Sequence, residues 1–103
     1  MSDVNGFDIE AIDEVIHGRI RLGVMAYLSS VGCADFNELK ARLQATDGNL
    51  SVHLRKLEDA GYVTVEKAFV DRKPRTSIQL SDEGRAAFVR YLDAMQKLVS
   101  GAG

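Results

Sequence analysis

The side chains with the clearest chemical potential lie between positions 46 and 56, and their chemistry is that of hydrogen bonding and charge. Amide and guanidinium groups make paired hydrogen bonds to the edges of nucleic acid bases, whereas lysine and hydroxyl groups more often contact phosphate. The stretch therefore predicts contact with a polar, negatively charged partner through Thr46, Asn49, Ser51, Val52, Arg55 and Lys56. The plainer alternative is a solvated helix face.

A second cationic group surrounds the only proline of the chain, Pro74, and consists of Arg72, Lys73 and Arg75. Proline stiffens the segment, and three cations at one exposed tip favour contact with phosphate groups. The alternative is a turn whose charges serve solubility alone. If the cations bind phosphate, their removal should lower affinity more than it changes sequence preference.

The distribution of charge is compatible with a nucleic acid partner, although the net charge is −2. Residues 40–75 hold eight lysines and arginines against five acids, which leaves +3, whereas residues 1–39 hold two against seven, which leaves −5. Screening limits each charge to a neighbourhood of roughly 8 Å at physiological salt, so a positive surface can exist on an acidic body.

Few side chains are suited to catalysis or to metal binding. The chain has two histidines and one cysteine, and it offers no paired carboxylates, nucleophile with a base, or glycine-rich phosphate loop at useful spacing. We therefore expect no enzyme, no cofactor and no metal site. We expect Cys33 to pack as a small apolar residue, His53 to be a partly buried structural histidine, and His17 to lie on the surface.

Length and composition predict one globular domain over residues 1–103. The hydrophobic fraction of 46% and the charged fraction of 27% are close to ordinary globular usage. No apolar run reaches the roughly 18–20 residues that span a bilayer, and the N-terminus lacks the pattern of a signal peptide. We expect a cytoplasmic protein without a membrane partner.

The N-terminal third predicts a helical region at residues 8–31. Apolar side chains recur there at three- and four-residue steps, and Gly18 predicts a break between a short lead-in helix and a second helix. Residues 31–34 are predicted to form a turn.

Residues 35–60 predict a helix-turn-helix. Asp35 and Thr46 stand where a side-chain oxygen can cap the first amide groups of each helix. Gly61 suits the left-handed position just past the second helix. That helix carries a stripe of apolar residues at helical spacing, which predicts a buried face: Leu50, Leu54 and Leu57.

The C-terminal part predicts a β-hairpin at residues 62–80 and a last helix at residues 81–99. Alternating β-branched residues flank a loop at residues 71–75, and Ser81 can cap the final helix. The predicted fold class is mainly α with a small β-hairpin wing (α+β). The order of elements is that of a winged helix-turn-helix with a C-terminal dimerisation helix.

Two segments resemble winged-helix regulators of the MarR and ArsR type. Residues 46–63 are similar to their recognition helix and first wing strand, and residues 80–85 resemble the L-T/S-x-x-G entry to their last helix. The resemblance implies a homodimer on a pseudo-palindromic operator in double-stranded DNA, usually a repressor released by a signal. Metal-sensing members carry paired cysteines that are absent here, so metal sensing is not implied. A small-molecule effector would bind in the dimer cleft, and its chemistry stays open.

The last helix carries more apolar surface than one small core requires, which predicts a subunit contact together with the N-terminal region. The alternative is a single wide core within one chain. The predicted dimer residues are Phe7, Ile9, Ile12, Phe88, Tyr91, Leu92, Met95, Leu98 and Val99.

A competing hypothesis is a winged-helix module that binds protein and not DNA, because a fold does not establish a function. The acidic net charge favours this alternative. The basic wing tip and the polar helix face oppose it.

Overall fold

Four α-helices and a three-stranded antiparallel sheet follow one another in residues 8–100, the part of the chain that the computed structural model describes. A single 3-10 turn, Ile9–Ala11, precedes them. In chain order the elements are α1 (Arg19–Val31), β1 (Cys33–Asp35), α2 (Phe36–Leu43), α3 (Asp47–Asp59), β2 (Val63–Val70), β3 (Lys73–Leu80) and α4 (Asp82–Val99). The predicted fold class is confirmed.

Three helices begin at side-chain caps, as the sequence predicted. The Asp35 carboxylate accepts a hydrogen bond from the Glu38 amide at 2.7 Å, and Thr46 Oγ1 accepts one from the Asn49 amide at 3.1 Å. Ser81 Oγ accepts from the Gly84 amide at 2.8 Å. Each cap satisfies a backbone donor that the first helical turn leaves without an intrahelical partner.

The leucine stripe of α3 anchors that helix in the core. Leu50 and Leu57 are fully buried and Leu54 nearly so, whereas the opposite side of α3 is exposed. The stripe belongs to one apolar cluster with Leu28 of α1 and Ile78 of β3. Burial of a leucine side chain contributes about 1.5–3 kcal/mol, so the stripe fixes which side of α3 faces outward.

The end of α3 fixes where the wing starts. Gly61 has a φ of +83°, and the Gly61 amide donates to the Glu58 carbonyl at 2.9 Å. The Tyr62 amide donates to the Leu57 carbonyl at 3.0 Å. These two bonds form a Schellman ending with Gly61 in the predicted left-handed position, and β2 begins at the residue after Tyr62.

The sheet differs from the prediction in having a third strand. The predicted turn at residues 31–34 contains the start of β1, which pairs with β3 so that Ala34 lies opposite Ile78. Alternation turns Ala34 into the core and Cys33 away from it, and Cys33 is exposed. The prediction that Cys33 packs as a small apolar residue is therefore wrong.

The two strands of the wing are longer than predicted, and the turn between them is shorter. Strands β2 and β3 pair from Val63 opposite Leu80 to Val70 opposite Lys73, so the loop expected at residues 71–75 shrinks to two residues. Pro74 lies within β3, opposite Phe69. A proline is tolerated there because β1 pairs only with residues 77–79 of β3, so β2 is the sole neighbouring strand among the described residues.

The N-terminal region breaks at Gly18 as predicted, but its lead-in is not an α-helix. Asp8 Oδ1 accepts from the Glu10 amide at 3.1 Å, and Asp13 Oδ1 accepts from the Val15 amide at 2.9 Å. Such local side-chain bonds compete with helical hydrogen bonding and favour turns.

Arg21 of α1 connects this N-terminal segment to α3. Its Nε donates to the Val15 carbonyl at 2.6 Å, and Nη2 donates to the His17 carbonyl at 3.3 Å. Its Nη1 lies 2.8 Å from Nδ1 of His53 on α3. Because a guanidinium only donates, His53 Nδ1 must accept, which requires a neutral imidazole.

The environment of His53 favours that neutral form. Burial lowers its pKa, and the positive charges of Arg21 and Lys56 lower it further. The predicted assignment of His53 as a partly buried structural histidine agrees with this position. His17 is exposed, as expected, and its Nδ1 lies 2.9 Å from the Tyr91 hydroxyl of α4.

Gly84 allows α4 to approach the start of the wing. A Cβ atom on Gly84 would lie 2.0 Å from the Tyr62 carbonyl oxygen, far inside van der Waals contact. The Ser81 amide donates to the same carbonyl at 3.0 Å, and Ser81 Oγ donates to the Gly61 carbonyl at 2.6 Å. The L-S-D-E-G segment therefore joins α4 to the α3–β2 corner.

Replacement of Gly84 should be much more costly than replacement of Gly48, which is also helical. We expect Gly84→Ala to lower the free energy of unfolding by at least about 2 kcal/mol, because backbone must move to admit the methyl group. Gly48→Ala has open space around it and should raise stability by up to about 1 kcal/mol. Urea unfolding of both variants tests this pair, and equal effects would contradict the close approach at Gly84.

Protonation of His53 should destabilise the fold. Its folded pKa is lowered, so the unfolded chain binds more protons around and below the ordinary histidine pKa of about 6.5, and stability falls as pH falls through that range. We expect the free energy of unfolding to drop less steeply in His53→Gln, whose amide oxygen can accept from Arg21, than in the unaltered protein between about pH 7 and about pH 5. Identical slopes would show that His53 is not the titrating group.

Candidate nucleic-acid interface

The outward side of α3 presents all the residues predicted to contact DNA in this part of the chain. Each member of that set, from Thr46 to Lys56, is exposed, and Val52 is 56% exposed. Helical spacing divides the set between two flanks. Asn49, Val52 and Lys56 share one flank, and Ser51 and Arg55 share the other, which faces the wing.

A cleft of about 410 Å³ separates α3 from the wing. Arg55 and Ser51 line it from α3, and Lys67 and Thr76 line it from the inner face of the hairpin. Asp47 and Glu58 also contribute, so the cleft carries both signs of charge. The shared cleft shows that the polar flank of α3 and the inner face of the wing border the same space.

Lys67 is a residue of this cleft that the sequence analysis missed. Alternation along β2 places it on the same face as Val63 and Val65, both turned toward the core. The sequence already shows the alternation of residues 62–67, and its period of two places Lys67 on the same face as Val63 and Val65.

The wing tip presents Arg72 and Lys73 to solvent. Asp71 and Arg72 have φ values of 53° and 67°, the paired positive values of a type I′ turn. Such turns favour glycine at the second position, so an arginine there is held in a sparsely populated conformation. Backbone strain of this kind is a reason to suspect a functional side chain.

Arg75 differs from the other two wing cations. Its Nη1 lies 3.7 Å from the Asp35 carboxylate of β1, and just over half of its side chain is exposed. The predicted phosphate contact of Arg75 therefore competes with a partner in the same chain, whereas Arg72 and Lys73 lie at the tip itself.

Each of the two cationic side chains of α2 contacts another residue of the same chain. Lys40 Nζ lies 2.7 Å from Asp47 Oδ1, which joins α2 to the first turn of α3. Arg42 lies over the ring of Tyr27, 5.6 Å from its centre. These side chains add to the positive field but are not placed on the α3 face.

A second surface lies along α4 and the N-terminal segment. Leu92 and Val99 are 49% and 77% exposed, and Ile9 is exposed beside a groove of about 670 Å³ that Met95 and Leu98 also line. Val89, which the sequence analysis omitted, is exposed on the same helix.

Three of the predicted dimer residues are buried within their own chain. Ile12, Phe88 and Tyr91 belong to the core, and Tyr91 is only 2% exposed, so they retain little surface for a partner. Helical periodicity identified the three as apolar but did not distinguish residues that pack against their own chain from residues on the outer surface. Phe7 lies outside the described residues.

No helix within residues 8–100 combines the length and the apolar character that crossing a membrane requires.

Comparison with known proteins gives relatives in two archaea. An uncharacterized protein of Methanocaldococcus jannaschii is 35% identical over 79 residues, which cover 77% of this chain and 86% of the relative. The structure of a transcriptional regulator homologue from Pyrococcus horikoshii OT3 superimposes with a TM-score of 0.81 at 32% identity, covering 86% of this chain and 88% of that one.

A more distant structural neighbour is the overoxidized form of AbfR bound to DNA. It has a TM-score of 0.62 at 22% identity and covers 77% of this chain and 55% of its own, a likeness of fold alone. Residues 20–99 match the family model of the winged helix DNA-binding domain. The chain therefore belongs to the winged helix DNA-binding domain family, and its family and fold are those of DNA-binding transcription regulators.

Proposed function

We propose that this protein is a homodimeric, sequence-specific repressor of transcription that acts in the cytoplasm. The observation that carries the proposal is the cleft shared by α3 and the wing. The polar flank of one and the inner face of the other border a single space, with cations on both walls and at the tip beyond. A duplex presents a groove beside a phosphate strand, so one such surface can contact both.

In the proposed complex α3 enters the major groove. Asn49 and Arg55 are the residues we assign to base edges, because amide and guanidinium groups make bidentate contacts worth about 1–3 kcal/mol of discrimination. Thr46, Ser51 and Lys56 contact phosphates or base edges beside them. Val52, exposed on the same flank as Asn49, suits the methyl group of a thymine.

The phosphate strand next to that groove would cross the mouth of the cleft. Lys67 then approaches it from the wing side of the cleft, while Arg72 and Lys73 reach the following minor groove. Arg75 joins them only if phosphate displaces Asp35, whose carboxylate lies 3.7 Å away. Minor grooves concentrate negative potential, which favours arginine at such a tip.

The exposed apolar residues of α4 supply the proposed subunit contact. Leu92 and Val99, with Ile9, Met95 and Leu98 along the groove, would be covered by the same surface of a second copy. A symmetric pair places two copies of α3 one helical turn apart, about 34 Å, which matches a pseudo-palindromic operator.

We propose repression because a protein can repress transcription simply by occupying an operator, without any further activity. The groove at the subunit contact is where an effector would bind, and Arg21 connects its wall to α3. Arg21 donates to the carbonyls of Val15 and His17 and lies within hydrogen-bond distance of His53. A change in the groove would therefore alter the position of α3 through the contact between Arg21 and His53. We propose no catalytic role.

The rival hypothesis is a module that binds protein alone, and it predicts no binding to duplex DNA at any salt concentration. Phosphate contacts release counterions, so the affinity of a DNA-binding protein for duplex falls steeply as salt rises. Failure to bind any duplex even at low salt would favour the rival.

Two arginine variants should separate base recognition from phosphate contact. Selection of bound sequences from a random duplex pool should give a shifted consensus for Arg55→Ala, because a base contact is lost. Arg72→Ala should keep the consensus, weaken all sequences and reduce the slope of log affinity against log salt by about 1. An unchanged consensus for Arg55→Ala would count against its place in the groove.

A charge on the outer side of α4 should break the proposed dimer. We expect Leu92→Asp to shift the protein to a monomer in light scattering, because a carboxylate would be buried without a partner. Val31→Asp is a matched control, since Val31 is 48% exposed but lies on α1, outside the proposed contact. A dimer that persists in Leu92→Asp would exclude this surface as the interface.

A further inference from the structure

Phe69 of the wing is an exposed aromatic residue that neither the core nor the proposed subunit contact uses. It is 77% exposed, as exposed as Val99 at the end of α4. A phenylalanine held in water on a rigid strand keeps a large apolar area uncovered, whereas most aromatic side chains bury theirs. The ring of Phe69 is therefore available to contact a binding partner.

The strand register places Phe69 beside Pro74 on the inner face of the wing. Phe69 lies opposite Pro74, and Lys67 lies opposite Thr76 two residue pairs nearer the core. Since side chains two residues apart share a face, Phe69 continues the wall on which Lys67 lines the cleft. Phe69 and Pro74 are therefore an apolar cross-strand pair on the face of the wing that, nearer the core, lines the cleft.

Three cations lie close to this apolar pair along the strands. Arg72 and Lys73 lie between Phe69 and Pro74 in the chain, after the acid Asp71, and Lys67 lies two residues before Phe69 on the same face. A partner with negative charge beside an apolar surface fits this combination of cations and ring. Duplex DNA is such a partner, with its phosphates and its stacked bases and sugars, and this chain belongs to a family of DNA-binding domains.

We propose that the Phe69–Pro74 pair is an apolar wedge that enters the minor groove of the bound duplex and partly unstacks a base step. The inference rests on the proposed DNA binding and assigns the wing a second task besides phosphate contact. Apolar side chains that enter a minor groove in this way open a step and bend the duplex toward the major groove. Arg72, whose φ is 67°, lies in the turn beyond the inserted ring.

The wedge adds specificity at a position that no hydrogen bond reads. Pyrimidine–purine steps unstack more easily than others, so the operator should carry such a step where the wing meets the minor groove. The preference arises from the cost of deforming the duplex.

Phe69→Ala and Phe69→Leu test the wedge on the same operator. The duplex carries 2-aminopurine at the step nearest the wing and a donor–acceptor dye pair at its ends. The unaltered protein and Phe69→Leu should raise 2-aminopurine fluorescence and shorten the end-to-end distance. Phe69→Ala should do neither and should bind roughly tenfold more weakly, the effect of losing one stacked aromatic group.

Salt dependence distinguishes the wedge from the cations. The slope of log affinity against log salt should be unchanged in Phe69→Ala, because no phosphate contact is lost, and smaller in Arg72→Ala. Because Phe69 is exposed, its replacement should leave the thermal unfolding temperature nearly unchanged, and light scattering should show an unaltered oligomeric state.

The outcomes separate this inference from the function on which it rests. If the unaltered protein binds no duplex, DNA binding fails and the wedge fails with it. If the protein binds its operator and Phe69→Ala binds and bends it equally well, the wedge is overturned while DNA binding stands. If Phe69→Ala instead changes the oligomeric state, the apolar pair contacts a second copy of the chain, which also overturns the proposal.

Discussion

Everything that α3 can do depends on the burial of its three leucines. Leu50 and Leu57 have no exposed surface, and with Leu54 they fix the rotation of the helix about its own axis. A rotation by one residue, about 100°, would carry Asn49 and Val52 away from the outer side and would expose a leucine. The hydrophobic effect that stabilises the core therefore also sets which side chains face a partner.

The same packing determines where the wing stands. The Schellman ending at Gly61 starts β2 one residue after Tyr62, and Gly84 lets α4 press against the Tyr62 carbonyl. Asp13 accepts a hydrogen bond from the Tyr62 hydroxyl at 2.5 Å, and burial together with that bond raises the pKa of Tyr62 to about 12. Contacts from three parts of the chain thus hold the α3–β2 corner, from which the wing begins.

Features with local causes could be predicted from the sequence, and features that depend on distant partners could not. The caps at Asp35 and Thr46 follow from side chains within three residues of the amides they bind. Strand β1 was missed because it has three residues, too few for a pattern, and exists only by pairing with a strand more than forty residues later. The exposure of Cys33 follows from that pairing.

The remaining differences between the predictions and the structure concern apolar residues at the two candidate surfaces. Phe88, Tyr91, Leu92 and Val99 look alike in sequence, yet the first two fill the core and the last two face outward. Phe69 was passed over because an apolar residue in a strand is expected to be buried. Periodicity identifies an apolar face, and only the fold shows how many neighbours are present to cover it.

The central claim is that α3 and the wing form one DNA-contacting surface. Titration of the labelled protein with a short operator duplex, followed by amide and side-chain NMR shifts, tests it directly. We predict that the largest shifts fall in residues 46–56 and 67–75, with α4 little affected. Shifts confined to α4 and the N-terminal segment, with α3 and the wing unchanged, would contradict the account.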